Sequence, residues 1–503
     1  MPFVRHVALV TGVAVVTAVL APIAGYGRPG IGDGLYPKYG NGGYDVQHYD
    51  IAVSYAPATR RLTGTATVTA VAQKSLTRFD LDFVLTVRSV VVNGQAASYS
   101  QSLTTSPAGN HGGELIVRPA RAVAKGSTMT VTVSYDGTPS TRRVGGFTPW
   151  VTTTTGAAAL GEPESAAWWF PSNDHPRDKA TYDVAMTVPA GLEAISNGVL
   201  QSHTTSGSMT TWSWRETRPM ATYLAFAAMG DYALTTSTAG GLPFYVAVGT
   251  KVGKVGAAAT ADLDRTPEVL AWESTLFGPY PFDAMGGVVP DGDFGYALEN
   301  QTKPVYTRSF WSGGSNMYVV VHENAHQWFG DSVSVDRWKD IWLNEGFATY
   351  AEWLWSEHVG QGTAQEILAA QYARSAADAF WTTKIGDPTE PQLFEDPVYD
   401  RGAMTLGALR TRIGDPEFFT LLTGWAAAQK DGTATTSQFV DLAEQVSGED
   451  LTSFFDAWLF SAGKPAATPG NGLSATSMRA GRAPASMSAM EAAQSLLRGR
   501  LRG

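Results

Sequence analysis

The chain has 503 residues, of which 44% are hydrophobic and 16% are charged, and its formal net charge at pH 7 is -10. This length is too great for one hydrophobic core and predicts about two or three domains, while the composition is that of a globular protein. The negative charge argues against a nucleic acid as a partner, because phosphate binding requires a basic face.

The N-terminus carries an apolar stretch from Val7 to Ala24, preceded by Arg5 and followed by a glycine-rich segment. This order is typical of a signal peptide, so we predict that residues 1–26 are removed and that the protein is secreted. A retained membrane anchor is the alternative, because about eighteen apolar residues reach the lower limit for a span. We expect no membrane span after removal of the signal peptide. The chain has no cysteine, so disulfides do not stabilise it.

Hydrophobic and polar residues alternate with a period of two from about residue 40 to residue 240, as at Tyr49 and Ile51, within a predicted domain of residues 27–240. Turn signals such as Asn93-Gly94 separate these runs. The pattern predicts an antiparallel, β-sandwich-like domain, which by itself indicates no chemistry.

Residues 241–463 show a helical pattern instead. Thr266-Pro267-Glu268 begins one predicted helix and Gly278 ends it. Further helices are predicted at about 318–329, 340–358, 363–380, 398–412, 415–428, 436–446 and 450–460. Residues 464–503 are rich in Ala, Ser, Gly and Pro, which predicts a mostly disordered tail with a short helix around Met490 to Leu497.

The segment His322-Glu323-Asn324-Ala325-His326 lies in one of these helices. Residues four apart share a helix face, so His322 and His326 converge on one point with Glu323 beside them. Glu345 in the next helix adds a carboxylate, and this donor set leaves one position of a tetrahedral zinc site open. We predict that one Zn²⁺ binds the two histidines and Glu345, with Glu323 as general base. Two surface histidines brought together by chance are the alternative.

The stretches His322 to Asp331 and Trp342 to Ala348 resemble the aminopeptidase N family of gluzincin metallopeptidases, and the resemblance extends from about residue 40 to about 460. It implies an α+β multidomain fold, with a β-sandwich-like domain before a thermolysin-like, mainly helical zinc domain. It also implies removal of single residues from peptides with a free N-terminus. We expect a monomeric, bacterial-like short form without the C-terminal helical domain of larger members.

The same resemblance implies a role for Tyr399. The segment Val398 to Ala403 resembles the family's Tyr-x-Lys-Gly-Ala pattern, whose tyrosine stabilises the transition state, with Arg401 in place of lysine. A tyrosine hydroxyl is a suitable second donor for an oxyanion next to a metal. We therefore expect Tyr399 to stabilise the oxyanion.

Ala297-Leu298-Glu299-Asn300 resembles the family's Gly-x-Met-Glu-Asn motif. The resemblance implies that Glu299 binds the substrate α-amine through charge-assisted hydrogen bonds and that Ala297 and Asn300 also contact the substrate. Tyr296 and Leu298 depart from the motif, and the bulkier Tyr296 is expected to reshape the first side-chain pocket.

The spacing to Phe170-Pro171 aligns Glu162 with the family's second amine-binding position. Glu164 is the alternative if the register differs by two residues. Leu160 stands where many members have glutamine, so that polar contact is expected to be lost.

Glu352 lies seven residues after Glu345, two turns along the same helix face. Ligating histidines usually donate their second nitrogen to a carboxylate or carbonyl, so we predict that Glu352 orients one histidine. A surface glutamate is the alternative.

Three other functions are compatible with the zinc motif. An endopeptidase uses the same zinc chemistry, but buried carboxylates at an amine site disfavour a neutral backbone. A bifunctional epoxide hydrolase is compatible with these residues. A catalytically silent binding module is the third, although His322, Glu323, His326, Glu345 and Tyr399 are all present. Asn324, where leucine is frequent, is expected to alter packing only.

Overall fold

The computed structural model describes residues 25–103, 113–143, 148–473 and 483–498. A β-rich half precedes a mainly helical half, which confirms the predicted fold class. The predicted signal peptide falls almost entirely on residues 1–24, which lie outside the described residues. Within the described ranges, no helix combines the length and apolar character needed to cross a membrane.

The first half, called the β domain below, contains the strands β1 (Gly25–Tyr26), β2 (Arg28–Pro29), β3 (Asn41–Gly42), β4 (Tyr44–Ala56), β5 (Arg61–Ala72), β6 (Leu76–Asp82), β7 (Thr86–Val92), β8 (Gln95–Ala96), β9 (Ser98–Leu103), β10 (Gly113–Arg118), β11 (Thr128–Gly137), β12 (Trp150–Thr152), β13 (Ala157–Ala159), β14 (Ala180–Pro189), β15 (Glu193–Ile195), β16 (Val199–Ser206), β17 (Met209–Met220) and β18 (Ala227–Gly230).

The largest sheet of the β domain has eight strands in the order β16-β17-β14-β4-β5-β11-β7-β8. Its neighbouring strands are antiparallel except for β4 and β14, which run parallel. Two four-stranded sheets, β1-β6-β10-β9 and β12-β13-β18-β15, accompany it. Tyr49, Ile51 and Val53 on β4 are buried, whereas Asp50 and Ala52 between them are exposed, as the predicted period of two requires.

The second half is called the helical domain. It contains the strands β19 (Tyr232–Ala239), β20 (Leu242–Gly249), β21 (Met285–Val289), β22 (Ala297–Leu298), β23 (Val305–Tyr306), β24 (Ser334–Val335) and β25 (Thr433–Ala434). Strand β19 forms a hairpin with β20, which pairs with β21 in a sheet of order β19-β20-β21-β23-β22. The predicted boundary at residue 240 falls in the turn between β19 and β20.

The helices are α1 (Gly256–Leu263), α2 (Thr266–Phe277), α3 (Met317–Ala325), α4 (Trp342–His358), α5 (Ala364–Tyr372), α6 (Asp396–Ile413), α7 (Asp415–Ala428), α8 (Thr436–Ser447), α9 (Thr452–Phe455) and α10 (Met487–Arg498). Helix α2 begins at Thr266 and stops at Gly278, whose φ of 95° suits glycine, so this prediction is confirmed. Helix α3 ends at Ala325, earlier than predicted, because the following turn tightens: the Trp328 N–H donates to the Ala325 carbonyl.

Helix α4 lies at the centre of the helical domain, and its side chains from Trp342 to Ser356 are all buried. It packs against α3 and α6. Gly346 and Gly402 allow the close approach to α6, because a Cβ atom added at Gly346 would lie 2.9 Å from the Gly402 Cα. This contact brings the N-terminal turns of α4 and α6 together.

The prediction of a mostly disordered tail is wrong for residues 464–473. Leu473 is fully buried, and the Tyr372 hydroxyl donates to the Pro465 carbonyl at 2.6 Å. Helix α10 appears where a short helix was predicted and packs against α3. The small residues that suggested disorder permit close packing instead, since a Cβ added at Gly472 would lie 1.9 Å from the Ala408 carbonyl oxygen.

Candidate active site

Helices α3 and α4 bring the three predicted metal ligands together. The Nε2 atoms of His322 and His326 lie 3.4 and 3.5 Å from Oε2 of Glu345. The three donor atoms all lie within 4.8 Å of one another, and all three residues are buried. His326 directly follows the last residue of α3 and keeps a helical backbone conformation, so the i, i+4 spacing produces the predicted convergence.

The second nitrogen of each imidazole already has a partner. Nδ1 of His322 lies 2.8 Å from Oε1 of Glu352, and Nδ1 of His326 lies 3.0 Å from the Phe329 carbonyl oxygen. The predicted role of Glu352 as a partner of one histidine is thus confirmed. These contacts favour the tautomer that leaves each Nε2 lone pair for a metal.

The charges around the imidazoles favour a bound cation. Burial lowers the pKa of His322, but hydrogen bonds to Glu345 and Glu352 outweigh it and raise this pKa well above its usual value. At His326 burial again lowers the pKa, but the charges of Glu345 and Glu299 outweigh it and raise this pKa to about 9. Two imidazoles and one carboxylate, buried and oriented by further partners, fit Zn²⁺.

Glu323 lies next to His322 on α3 and is 2% exposed. Burial raises its pKa to about 8, although His322 and His326 act in the opposite direction. The residue is therefore a buried carboxylate next to the predicted metal ligands.

The residues predicted to bind the metal, to bind the substrate amine and to stabilise the oxyanion all line one cavity. Its lining consists of Glu162, Tyr296, Ala297, Leu298, Glu299, His322, Glu323, His326, Glu345 and Tyr399. Strand β22 contributes Ala297 and Leu298, and it pairs antiparallel with β23. Tyr399 on α6 stacks on His322, with ring centroids 6.2 Å apart and an interplanar angle of 21°.

The two predicted amine-binding carboxylates face this cavity. Burial raises the pKa of Glu299, and burial together with the charge of Glu299 raises the pKa of Glu162 well above its usual value. Glu164, the alternative to Glu162, accepts a hydrogen bond from the Tyr39 hydroxyl at 3.0 Å and does not line the cavity. Glu162, and not Glu164, therefore lines the cavity that contains the predicted metal ligands.

Other predicted residues have different surroundings. The Asn300 side-chain amide donates to the Leu224 carbonyl at 2.9 Å, so this residue contacts the β domain and does not line the cavity, and its contact with substrate stays a prediction. The Tyr296 hydroxyl donates to the Leu160 carbonyl at 3.1 Å, which fixes the tyrosine ring on the cavity wall. Arg401 stands at the position that is lysine in the Tyr-x-Lys-Gly-Ala pattern.

Arg401 is fully buried and donates to four carbonyl oxygens, those of Trp381, Thr383, Ala457 and Ser461, at 2.8 to 3.1 Å. These bonds attach α6 to two other segments of the helical domain, residues 381–383 and 457–461. Because Tyr399 lies two residues earlier on α6, the arginine fixes the helix that carries it.

Two contacts to Glu299 were not predicted from the sequence. The Tyr223 hydroxyl donates to Oε1 of Glu299 at 3.1 Å, and Nε2 of Gln327 donates to the Glu299 backbone carbonyl at 3.1 Å. For Gln327, the only sequence feature that could have indicated a place in the site is that it directly follows the zinc motif. Tyr223 lies in the β domain, and no local pattern connects it with the site.

Two family models match the chain. The Peptidase M1 N-terminal domain matches residues 45–224, and the Peptidase family M1 domain matches residues 262–458. Aminopeptidase M1-C of Oryza sativa subsp. japonica is 30% identical over 322 residues, covering 59% of this chain and 36% of its own length. Glutamyl aminopeptidase of Rattus norvegicus is 28% identical over 380 residues, with coverages of 69% and 39%. The chain thus spans less than half the length of these curated relatives.

One solved structure matches this chain over almost the whole length of the solved chain. The M1 zinc metallopeptidase from Deinococcus radiodurans superposes with a TM-score of 0.77 at 28% identity, covering 87% of this chain and 99% of that one. A mutant of that enzyme bound to a Tyr-ser-ala substrate gives a TM-score of 0.76 at 29% identity, with coverages of 86% and 97%. The family models, the zinc-binding residues and the shared fold lead to one conclusion: the chain belongs to peptidase family M1.

Proposed function

We propose that the protein is a zinc aminopeptidase that hydrolyses the N-terminal residue from peptides. The observation that carries this proposal is the presence of Glu162 and Glu299 in the same cavity as the zinc ligands. Two buried carboxylates near one another repel, and a substrate ammonium group relieves that repulsion through charge-assisted hydrogen bonds. A neutral backbone from the middle of a peptide cannot do so, which argues against an endopeptidase.

Bound to His322, His326 and Glu345, zinc would act as a Lewis acid and acidify a water molecule towards neutral pH. Glu323 takes the proton from the attacking water and then delivers it to the departing amine nitrogen. Burial raises the pKa of Glu323 to about 8. The same carboxylate therefore serves first as base and then as acid.

Tyr399 donates its hydroxyl proton in a hydrogen bond to the carbonyl oxygen as negative charge develops on it. The ring of His322 stacks beside the tyrosine, and Arg401 fixes its helix, so the donor is oriented before substrate arrives. Glu299 and Glu162 hold the substrate ammonium, which places the first peptide bond, and no later one, at the metal.

The names of the relatives support the same activity. The curated relatives are called aminopeptidases, and the similar solved structures of M1 zinc metallopeptidases include complexes with a Tyr-ser-ala substrate, with L-tryptophan and with L-arginine. We extend this activity to the present chain because its cavity contains the metal ligands, the base and two acidic residues for the amine.

The test compares aminoacyl amides that differ only by N-acetylation, using purified protein before chelation, after chelation and after addition of Zn²⁺. We expect cleavage of the free amines only, its loss on chelation and its recovery with Zn²⁺. Cleavage of acetylated or internal bonds would establish an endopeptidase instead. Zinc binding without any cleavage would point to a silent binding module.

We also propose that the protein is exported, because the apolar stretch from Val7 to Ala24 has the composition of a signal peptide. N-terminal sequencing of protein recovered outside the producing cells tests this. A start near residue 27 is expected, and an unprocessed N-terminus in the cell fraction would contradict the proposal.

A further inference from the structure

Glu299 receives its hydrogen bond from a residue of the other domain. Tyr223 lies in the short turn between β17 and β18, is 1% exposed, and donates its hydroxyl to Oε1 of Glu299. We propose that Tyr223 is a positioning residue for amine recognition, which holds one oxygen of Glu299 so that the carboxylate can receive the substrate ammonium. This inference rests on the proposed aminopeptidase function.

The backbone that carries Glu299 is fixed without the Tyr223 hydroxyl. Its carbonyl accepts from Gln327, and the neighbouring Asn300 amide donates to the Leu224 carbonyl. Asn197 donates to the same Leu224 carbonyl and to the Gln301 carbonyl, both at 2.9 Å. These four bonds hold the main chain, whereas the bond from Tyr223 acts on the carboxylate itself.

The ring of Tyr223 is also held independently of its hydroxyl. It packs edge-on against Trp338, with ring centroids 5.4 Å apart. Trp338 in turn contacts the ring of Tyr36, and its backbone N–H donates to Asp33 at 2.9 Å. A phenylalanine at position 223 would therefore keep the packing and remove one donor, which isolates the contribution of the hydroxyl.

The hydroxyl remains a donor over the working range of pH. Burial and the charges of Glu299 and Glu162 raise the pKa of Tyr223 well above its usual value, so the phenol does not ionise near neutral pH. A hydrogen bond to a charged acceptor is among the stronger ones in proteins. Tyr223 is thus a permanent donor beside both amine-binding carboxylates.

Calorimetry measures how tightly two probes bind to the zinc-loaded wild type, to Tyr223→Phe and to the control Tyr182→Phe. Tyr182 is another buried tyrosine of the β domain, whose hydroxyl donates to the Met220 carbonyl at 3.3 Å. The probes are leucine hydroxamate and 4-methylpentanohydroxamate, which share the side chain and the metal-binding group and differ only in the α-amine.

We expect Tyr223→Phe to bind leucine hydroxamate about tenfold or more weakly, with the amine-free probe changed by less than about twofold. Tyr182→Phe should bind both probes as the wild type does. In hydrolysis of leucine amide, Tyr223→Phe should raise KM about tenfold and change kcat by less than about threefold, because the deleted contact is to the bound amine and not to the reacting atoms.

Two results would overturn the inference while leaving the aminopeptidase function intact. One is wild-type affinity of Tyr223→Phe for both probes. The other is an equal loss of affinity for both, which would mean that Tyr223 only supports the structure. A wild type that does not distinguish the two probes contradicts the proposed function itself, and the inference fails with it.

Discussion

Nδ1 of His322 and Oε1 of Glu352 lie 2.8 Å apart, joining α3 to α4 directly behind the metal ligands. Glu345 lies two turns earlier on the same face of α4, so one helix provides both a ligand and the acceptor that orients another ligand. Glu352 is 1% exposed, and its charge is therefore poorly screened by solvent. This contact makes the His322 imidazole a stronger electron-pair donor and therefore a stronger metal ligand.

We expect Glu352→Gln to weaken zinc binding about tenfold or more, because the neutral amide loses the charge that strengthens the imidazole as a ligand. Competition with a chromogenic zinc chelator measures the dissociation constant. Glu357→Gln is the matched control, since Glu357 lies on the same helix and contacts Arg410 at 3.3 Å. Equal zinc affinity of the wild type and Glu352→Gln would refute the role of Glu352.

Glu323→Gln should separate metal binding from catalysis. The amide cannot take a proton from water, so we expect kcat to fall by about two to four orders of magnitude while zinc content stays at one ion per chain. Asn324→Leu is the control at the next helix position, and it should retain both zinc and activity. Steady-state kinetics and metal analysis of the same preparation provide the measurement. A Glu323→Gln variant with wild-type kcat would exclude Glu323 as the base.

The residues that could be predicted are those with a local signal. His322 and His326 are one helical turn apart, and Glu352 is two turns from Glu345, so helix geometry alone brings each pair onto one face. Tyr49 and Ile51 likewise follow strand geometry. In each case the sequence separation and the periodicity of one element determine which side chains meet.

The features that were missed depend on contacts between distant parts of the chain. Tyr223 meets Glu299 across 76 residues and a domain boundary. Asn300 belongs to a recognisable motif, yet its partner is Leu224 of the β domain. Gly472 packs on Ala408 although its surroundings have a composition typical of disorder. Neither composition nor periodicity contains information about these tertiary partners.

Glu162→Gln and Glu164→Gln form a matched pair at the amine site. Glu162 lines the cavity, whereas Glu164 accepts a hydrogen bond from Tyr39 outside it. We expect Glu162→Gln to raise KM for aminoacyl amides about tenfold, because it removes one charge that binds the ammonium group. Glu164→Gln should change KM by less than about twofold. If the larger effect occurred in Glu164→Gln, the alternative register would be correct.

Asp33 connects the first residues of the β domain to the helical domain. Its carboxylate accepts from the backbone N–H groups of Tyr36 and Trp338, at 3.0 and 2.9 Å, and contacts His175 at 3.3 Å. Burial raises the pKa of Asp33, but these three hydrogen bonds outweigh it and lower the pKa to about 2. The folded state therefore favours the ionised form.

A lowered folded-state pKa stabilises the protein above the unfolded-state pKa, and this stabilisation is lost as pH falls towards 2. We therefore expect the difference in free energy of unfolding between the wild type and Asp33→Asn to shrink by about 1.5 kcal/mol from pH 4.5 to pH 2.5. Urea denaturation at each pH measures it. Asp50→Asn, at an exposed position on β4, is the control and should show no such change. A difference that stays constant with pH would show that Asp33 stabilises the fold by geometry and not by its charge.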